Sequence, residues 1–379
     1  MSSSLFDRSE YSTLVNAVYL NQASLGLIGQ PAIDAMHGFL DGIARHGNLH
    51  MTDDDEVGFL DALCLRATRL FQIEATRIAV LSSASELLGQ VPLILTPPHG
   101  VKVIAVSTDF PAITRPWLRL AERGECRLDF VDEKPESDLT TNLIARIDDQ
   151  TFLIAVGSVQ YATGTVIDVP RLRAATAEAG VRLVIDATQG AGAIETRIGS
   201  WDADVVVSSG YKWLGGHGGV AIGAISPALL QESPALPGWM GALDPFAFDA
   251  TRILFAEGGR RYTQSTMSYV SVIGLTTAID QLLAVGVQKL EHHAERLAHM
   301  LVDAVEPYGW RPFRPLDEPA ASPHIVSLGH QGDEPNDVSE RLRSAGIVCS
   351  RRGGRLRVSL AAYNDEDDIA SFADALTPA

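Results

Sequence analysis

The chain has 379 residues, 46% of them hydrophobic and 20% charged, the composition of a globular protein with ample core. A formal net charge of −17 lacks the basic footprint that nucleic acid demands and would be repelled by an anionic membrane surface. Three widely spaced cysteines, Cys64, Cys126 and Cys349, form no CxxC pair, which argues against a disulfide framework or a metal site and for a reducing cytoplasm.

The opening MSSSLFDRSEY carries no signal pattern, and no apolar run reaches transmembrane length. From about residue 76 to 225, short β-rich runs alternate with helical patterns. Strands are expected at 78–81, 101–106, 127–131, 152–156, 183–185, 205–207 and 220–224, with helical spacing at 113–123 and 170–179. Near-continuous apolar strands separated by helices predict a mostly parallel sheet covered on both faces. Ligands of such sheets bind beyond the carboxyl ends of the strands. After residue 265 the pattern changes. Helices are expected at 268–285 and 288–305, then a Pro-rich loop at 311–323, a strand at 325–328, a helix at 336–344, a strand at 355–359 and an amphipathic helix at 365–376. Mixed short elements of this kind predict a smaller α+β lobe.

Only four lysines occur. Lys102 opens an apolar run, Lys134 lies in an acidic stretch, and Lys289 sits on a helical pattern. Lys212 follows the run Val205, Val206, Val207 and two serines, stands between Tyr211 and Trp213, and precedes the glycine-rich turn 215–219. An amine held so at a strand end is placed to attack a carbonyl, and burial beside Trp213 would lower its pKa toward the neutral form. The strand at 183–185 ends in Asp186. A buried carboxylate there needs a cation or several donors, although it also suits a helix cap. Neighbouring parallel strands bring Asp186 and Lys212 to one crevice. An acid and an amine converging on a small molecule suit pyridoxal phosphate, which forms a Schiff base with the lysine and pairs its ring nitrogen with the acid. The turn 81–86 (LSSASE) opens a helix with small and hydroxylic residues, a cradle for the phosphate or an ordinary serine cap. There is no P-loop. The glycine clusters lack the strand-then-helix setting of a dinucleotide site, which disfavours a nicotinamide-dependent oxidoreductase.

Taken in order, these motifs resemble the class V aminotransferase or cysteine desulfurase family of fold-type I pyridoxal-phosphate enzymes, with the isopenicillin-N-epimerase-like and C–S-lyase-like branches nearest. YLNQAS at 19–24 looks like the family's opening segment and makes Gln22 and Ser24 candidate substrate contacts; His46 is a candidate by position. SSASE at 82–86 places Ala84 and Ser85 on the phosphate, and DFPAITRPW at 109–117 makes Phe110 the residue stacked on the ring. DATQ sets Asp186 on the ring nitrogen and Gln189 near the ring hydroxyl. SGYKWLGG at 209–216 is similar to the lysine motif, with Ser209 and Tyr211 on the phosphate. RRYTQST at 260–266 resembles the segment whose threonine, here Thr266, reaches the phosphate of a partner subunit. GGRLRVSLAAYN at 353–364 resembles the segment whose arginine, here Arg357, grips the substrate carboxylate.

Two departures narrow the expectation. Phe110 stands where desulfurases carry a histidine, and phenylalanine stacks without shuttling protons. Cys349 follows an apolar run, as a core thiol does, where desulfurases hold a mobile nucleophile. Tyr161 replaces a frequent asparagine and is free to meet the ring hydroxyl or the substrate. The resemblance implies a large cofactor domain over 16–265 and a small domain of residues 1–15 and 266–379. It also implies a homodimer with active sites at the interface. The expected activity is β-elimination, a C–S lyase acting on a cysteine-type conjugate of specialised metabolism. An aminotransferase is the runner-up, followed by an epimerase or decarboxylase; a non-catalytic protein that kept the fold is a reading of another class.

Overall fold

The computed structural model describes residues 4–331 and 337–377. The chain opens with a two-residue strand, β1 (Val18–Tyr19), and two helices, Gln30–His46 and Asp53–Phe71. The second begins on a capping box: the Thr52 hydroxyl accepts from Asp55 N–H while the Asp55 carboxylate accepts from Thr52 N–H. Four acids at 53–56 add charge of the sign a helix N-terminus favours.

Seven strands then form the large sheet: β2 (Ile78–Leu81), β3 (Val101–Val106), β4 (Cys126–Val131), β5 (Thr151–Gly157), β6 (Arg182–Asp186), β7 (Val205–Ser209) and β8 (Ala221–Ile225). Their order is β2-β8-β7-β6-β5-β3-β4, and β8 alone runs against the others. Side chains alternate between faces along each strand. Ile104, Ile154, Ile185 and Val206 therefore pack into one core, and Val103, Leu153, Val184 and Val205 into a second on the opposite face. Helices such as Pro111–Glu122 and Val169–Glu178 make the crossovers and cover those faces. Burial on both sides is why these strands read as continuous apolar runs.

The smaller sheet is antiparallel. It contains β9 (Trp310–Pro312), β10 (Ile325–His330), then, after the two-residue β11 (Ile347–Val348), β12 (Ser350–Arg352) and β13 (Arg355–Ser359), in the order β12-β13-β10-β9. The stretch expected to be a Pro-rich loop thus begins as a strand. Pro312 is tolerated because β9 is an edge, where a missing N–H costs no ladder bond. β1 pairs in parallel with β11, and Asn21 bridges to Ser359, so the N-terminal segment is stitched to this sheet. Leu20 joins a third core there with Leu297, Val326, Val358 and Phe372. The helices Tyr269–Val285 and Val287–Val305 meet at Gly286, whose φ of 88° turns the chain through 76°. Among the described residues no single helix is long and apolar enough to cross a membrane. Of the expected helix 336–344, Asn336 lies outside the described residues and the helix runs Val338–Ser344. Residues 1–3 and 378–379 of the expected small domain lie outside them as well.

Candidate active site

The parallel strands β2, β3, β5, β6 and β7 all end on one side of the sheet, and the loops that follow them enclose a cavity of about 120 Å³. Lys212 is there, on the turn after β7, only 6% exposed. Its Nζ lies 5.2 Å from the ring centre of Phe110 and 5.8 Å from that of Tyr211. Among the described residues no acceptor meets that Nζ. Lys102, buried to a similar degree, is by contrast paired with Asp148 at 2.6 Å. Burial drives the Lys212 pKa down to about 8, the charge of Asp186 opposes the fall, and Arg357 and Arg352 add to it. Trp213 is not the neighbour that does this. Its ring turns to the other side of the turn, edge-on to His324, and packs in a cluster with Tyr11 and Tyr363.

Asp186 ends β6 and lines the same cavity. One carboxylate oxygen accepts from Thr188 N–H at 2.9 Å, and the Thr188 hydroxyl accepts from Ser209 N–H at 3.0 Å, which locks the ends of β6 and β7 together. No donor among the described residues reaches the other oxygen. After β2, the helix Ala84–Leu95 begins at the cavity wall with Ser83 as its cap, accepting from Glu86 N–H. Among the described residues no acceptor meets the N–H groups of Ala84 and Ser85. The hydroxyls of Ser85, Ser209 and Tyr211 are likewise unspent and belong to the same wall.

Phe110 caps the cavity with its ring 5.5 Å from that of Tyr161 and nearly perpendicular to it. Its place is set by Asp109, which sequence reasoning missed. The two Asp109 oxygens accept from Phe110 N–H at 2.7 Å, Gly157 N–H at 2.6 Å and the Gln160 amide at 3.2 Å. Burial raises this carboxyl to about 6 against those bonds, and the Asp186 charge adds to the rise. The available signal was an aspartate two residues ahead of a helix that opens on proline.

Arg357, on β13, is 1% exposed. It donates to the Tyr161 carbonyl at 2.6 Å and to the Ser24 hydroxyl, and no carboxylate meets it among the described residues. Burial lowers its pKa to about 10, with Arg352 adding repulsion.

Several expected contacts lie elsewhere. Gln22 faces away from the cavity: its amide donates to the Lys212 carbonyl at 2.9 Å, and its oxygen accepts from Leu27 N–H and the Tyr363 hydroxyl. Gln189 does line the cavity, as expected, while its amide donates to Ala23 O at 3.0 Å and accepts from the Trp213 indole at 2.9 Å. Each is a brace, because a buried amide takes the nearest backbone and indole partners. His46 is exposed at a helix end, and Thr266 is exposed on a loop that does not line its own chain's cavity. Burial pushes the Cys349 thiol up to about 11. Among the described residues no cluster of three or more His, Cys, Asp or Glu side chains could hold a metal ion.

The donor set fits pyridoxal phosphate. A buried amine without an acceptor, a buried carboxylate with one free oxygen, and a helix N-terminus with free N–H groups and hydroxyls all face one cavity. Lys212 would hold its aldehyde carbon, Asp186 its ring nitrogen, and Ala84, Ser85, Ser209 and Tyr211 its phosphate.

The sequence model of the family described as aminotransferase class-V matches residues 18–372. An uncharacterized aminotransferase of Bacillus subtilis, YcbU, is 23% identical, covering 97% of this chain and 95% of its own. A kynureninase of Bacillus thuringiensis is 24% identical, covering 96% and 88%. Among solved structures, the cystine C–S lyase C-DES in complex with cysteine persulfide superposes with a TM-score of 0.87 at 18% identity, covering 97% of this chain and 100% of that one.

Proposed function

The chain belongs to the class-V aminotransferase family of pyridoxal-phosphate enzymes, and on that footing we propose that it is a lyase that expels a sulfur group from the β-carbon of a cysteine-type conjugate. The observation that carries this reading is the unpaired Lys212 amine, buried between Phe110 and Tyr211 with its pKa at about 8. When bound, pyridoxal phosphate supplies an aldehyde for amines and a ring that takes up the electron pair released at the α-carbon. Asp186 keeps a proton on the ring nitrogen, which its free oxygen is placed to do. Arg357 binds and orients the substrate carboxylate through a guanidinium that no carboxylate meets among the described residues. Lys212 takes the α-proton, and with a pKa of about 8 roughly a tenth of it is neutral at pH 7.

Phe110, the ring nearest that amine, carries no proton, so proton traffic on the lysine side falls to one base. Elimination needs no more than that when the leaving group is a good one, as a thiolate is. The Cys349 thiol, pushed up to about 11, does not supply the thiolate that persulfide chemistry requires. Sulfur therefore leaves with the product. The reading also includes a homodimer in a reducing cytoplasm. Thr266, exposed and outside its own cavity, and three free cysteines support those two points.

The test has two parts. Borohydride should fix the yellow cofactor covalently to the peptide carrying Lys212. S-substituted cysteines should then yield pyruvate, ammonia and thiol without a keto-acid acceptor. A keto acid released only when an acceptor is supplied would make the protein an aminotransferase instead.

A further inference from the structure

The hairpin that carries Arg357 brings a second guanidinium to the same place. Its register sets Ser350 opposite Arg357 and Arg352 opposite Arg355, and directly opposed residues share a face of the ribbon. Arg352 and Arg357 therefore stand on one side, while Arg351 points to the other and is exposed. Both converge on one hydroxyl: Arg357 donates to Ser24 Oγ, and Arg352 reaches the same atom at 3.4 Å. The other terminal nitrogen of Arg352 donates to the carbonyl of its neighbour Arg351 at 2.7 Å. Among the described residues no carboxylate meets either side chain.

Two like charges held on a single neutral acceptor raise the energy of the free protein. Arg352 lowers the pKa of Arg357, and both lower that of Lys212. Asp186, the carboxylate that acts on Lys212, is engaged with Thr188 N–H and meets neither arginine. Two more polar atoms beside the pair, Arg357 Nε and Ser350 Oγ, are buried without partners. A substrate α-carboxylate satisfies Arg357 and leaves Arg352 unmatched. Arg77, Arg260 and Arg261, by contrast, spend their guanidinium groups on backbone carbonyls far along the chain and tie elements together, whereas Arg352 reaches only its neighbour's carbonyl and the shared Ser24 hydroxyl.

We propose that Arg352 binds a second carboxylate at the far end of the substrate side chain, so that the site selects amino acids carrying two carboxylates. This specificity rests on the reading of Lys212 and Arg357 given above.

The experiment compares two thioethers of similar size, S-carboxymethyl-L-cysteine and S-propyl-L-cysteine, by calorimetry on the cofactor-loaded protein. The carboxymethyl compound is expected to bind at least about ten-fold tighter, the scale of one charge-assisted pair. R352Q should abolish that ratio while leaving the S-propyl affinity within about two-fold, which shows that the fold and Arg357 survive. R351Q, on the opposite face, should keep the ratio. Equal affinities in the protein that keeps both arginines, a ratio that persists in R352Q, or one lost in R351Q would each overturn the proposal. Every protein compared also carries Lys212→Ala, so the proposed base for the α-proton is missing and the heat read is that of binding. A failure to label Lys212 with borohydride therefore counts against the lyase reading, and equal calorimetric affinities count against the second carboxylate alone.

Discussion

The side-chain amide of Gln22 donates to the carbonyl of Lys212 at 2.9 Å, although 190 residues separate them. The turn that carries the reactive amine is thus held from behind by the N-terminal segment. The same Gln22 accepts from Tyr363, so the small lobe shares the hold.

Gly26 tests that hold most directly. Its N–H donates to Tyr211 O at 2.9 Å, and a Cβ added there would sit 2.4 Å from the Lys212 carbonyl. Backbone cannot yield that much without moving the turn. Gly26→Ala is expected to lower stability in urea by about 1–3 kcal/mol and to slow covalent uptake of an aldehyde at Lys212. An unchanged midpoint and uptake rate would show that the turn is not braced this way.

The amine itself sets a pH dependence. Lys212 loses its proton at about 8, so aldehyde uptake should rise with pH through that value and level off above it. The charge of Asp186 raises the Lys212 pKa, so Asp186→Asn should move the midpoint down. Stability follows by linkage. Between about 8 and 10.5 the unfolded chain holds a proton that the folded one has released, so the protein free of cofactor gains stability as pH rises through that window. Uptake with a midpoint near 10 would mean the amine is solvated.

Asp109 makes the opposite prediction at low pH. Its folded pKa, raised to about 6 from 3.8, means the native state keeps a proton that the unfolded state loses between those values. Stability should therefore fall as pH climbs from about 4 to 6, by up to about 3 kcal/mol from this group. Asp109→Asn should remove that slope. It should also cost about 1–3 kcal/mol at all pH values, because an amide NH₂ would face one of the N–H donors that now meet two oxygens. Denaturation curves at pH 4, 5 and 6 on both proteins decide it.

Cys349 is expected to be dispensable. With its thiol pushed up to about 11, it contributes almost no thiolate at neutral pH, and Cys349→Ala should keep activity within about two-fold. A thousand-fold loss would return persulfide chemistry to consideration.

What the sequence revealed follows the range of the interactions involved. The central strands were legible because burial on both faces leaves only apolar residues along them, and Asp186 and Lys212 stood out as polar residues at the ends of such runs. That β8 runs backwards was not legible, since a buried strand reads alike in either direction. Nor was the side of the turn that Trp213 takes, which Tyr11 and Tyr363 decide from opposite ends of the chain. That Gln22 turns away from the cavity was not legible either, because a buried amide's partners are chosen by packing, here across 341 residues. Arg352 was hidden among four arginines, where only strand register tells that it shares a face with Arg357 while Arg351 takes the other.

The stitching of β1 to β11, with Ser24 against Arg357 and Gln22 against Tyr363, has a consequence for biosynthesis. Residues 18–24 close onto residues 347–363, which are synthesised more than 320 residues later. A nascent chain can assemble its seven-stranded sheet early, but its pocket stays unfinished until the closing hairpin and the Tyr363 loop have emerged. The catalyst therefore stays silent on the ribosome until residue 363 has emerged and its partners near residue 22 are met.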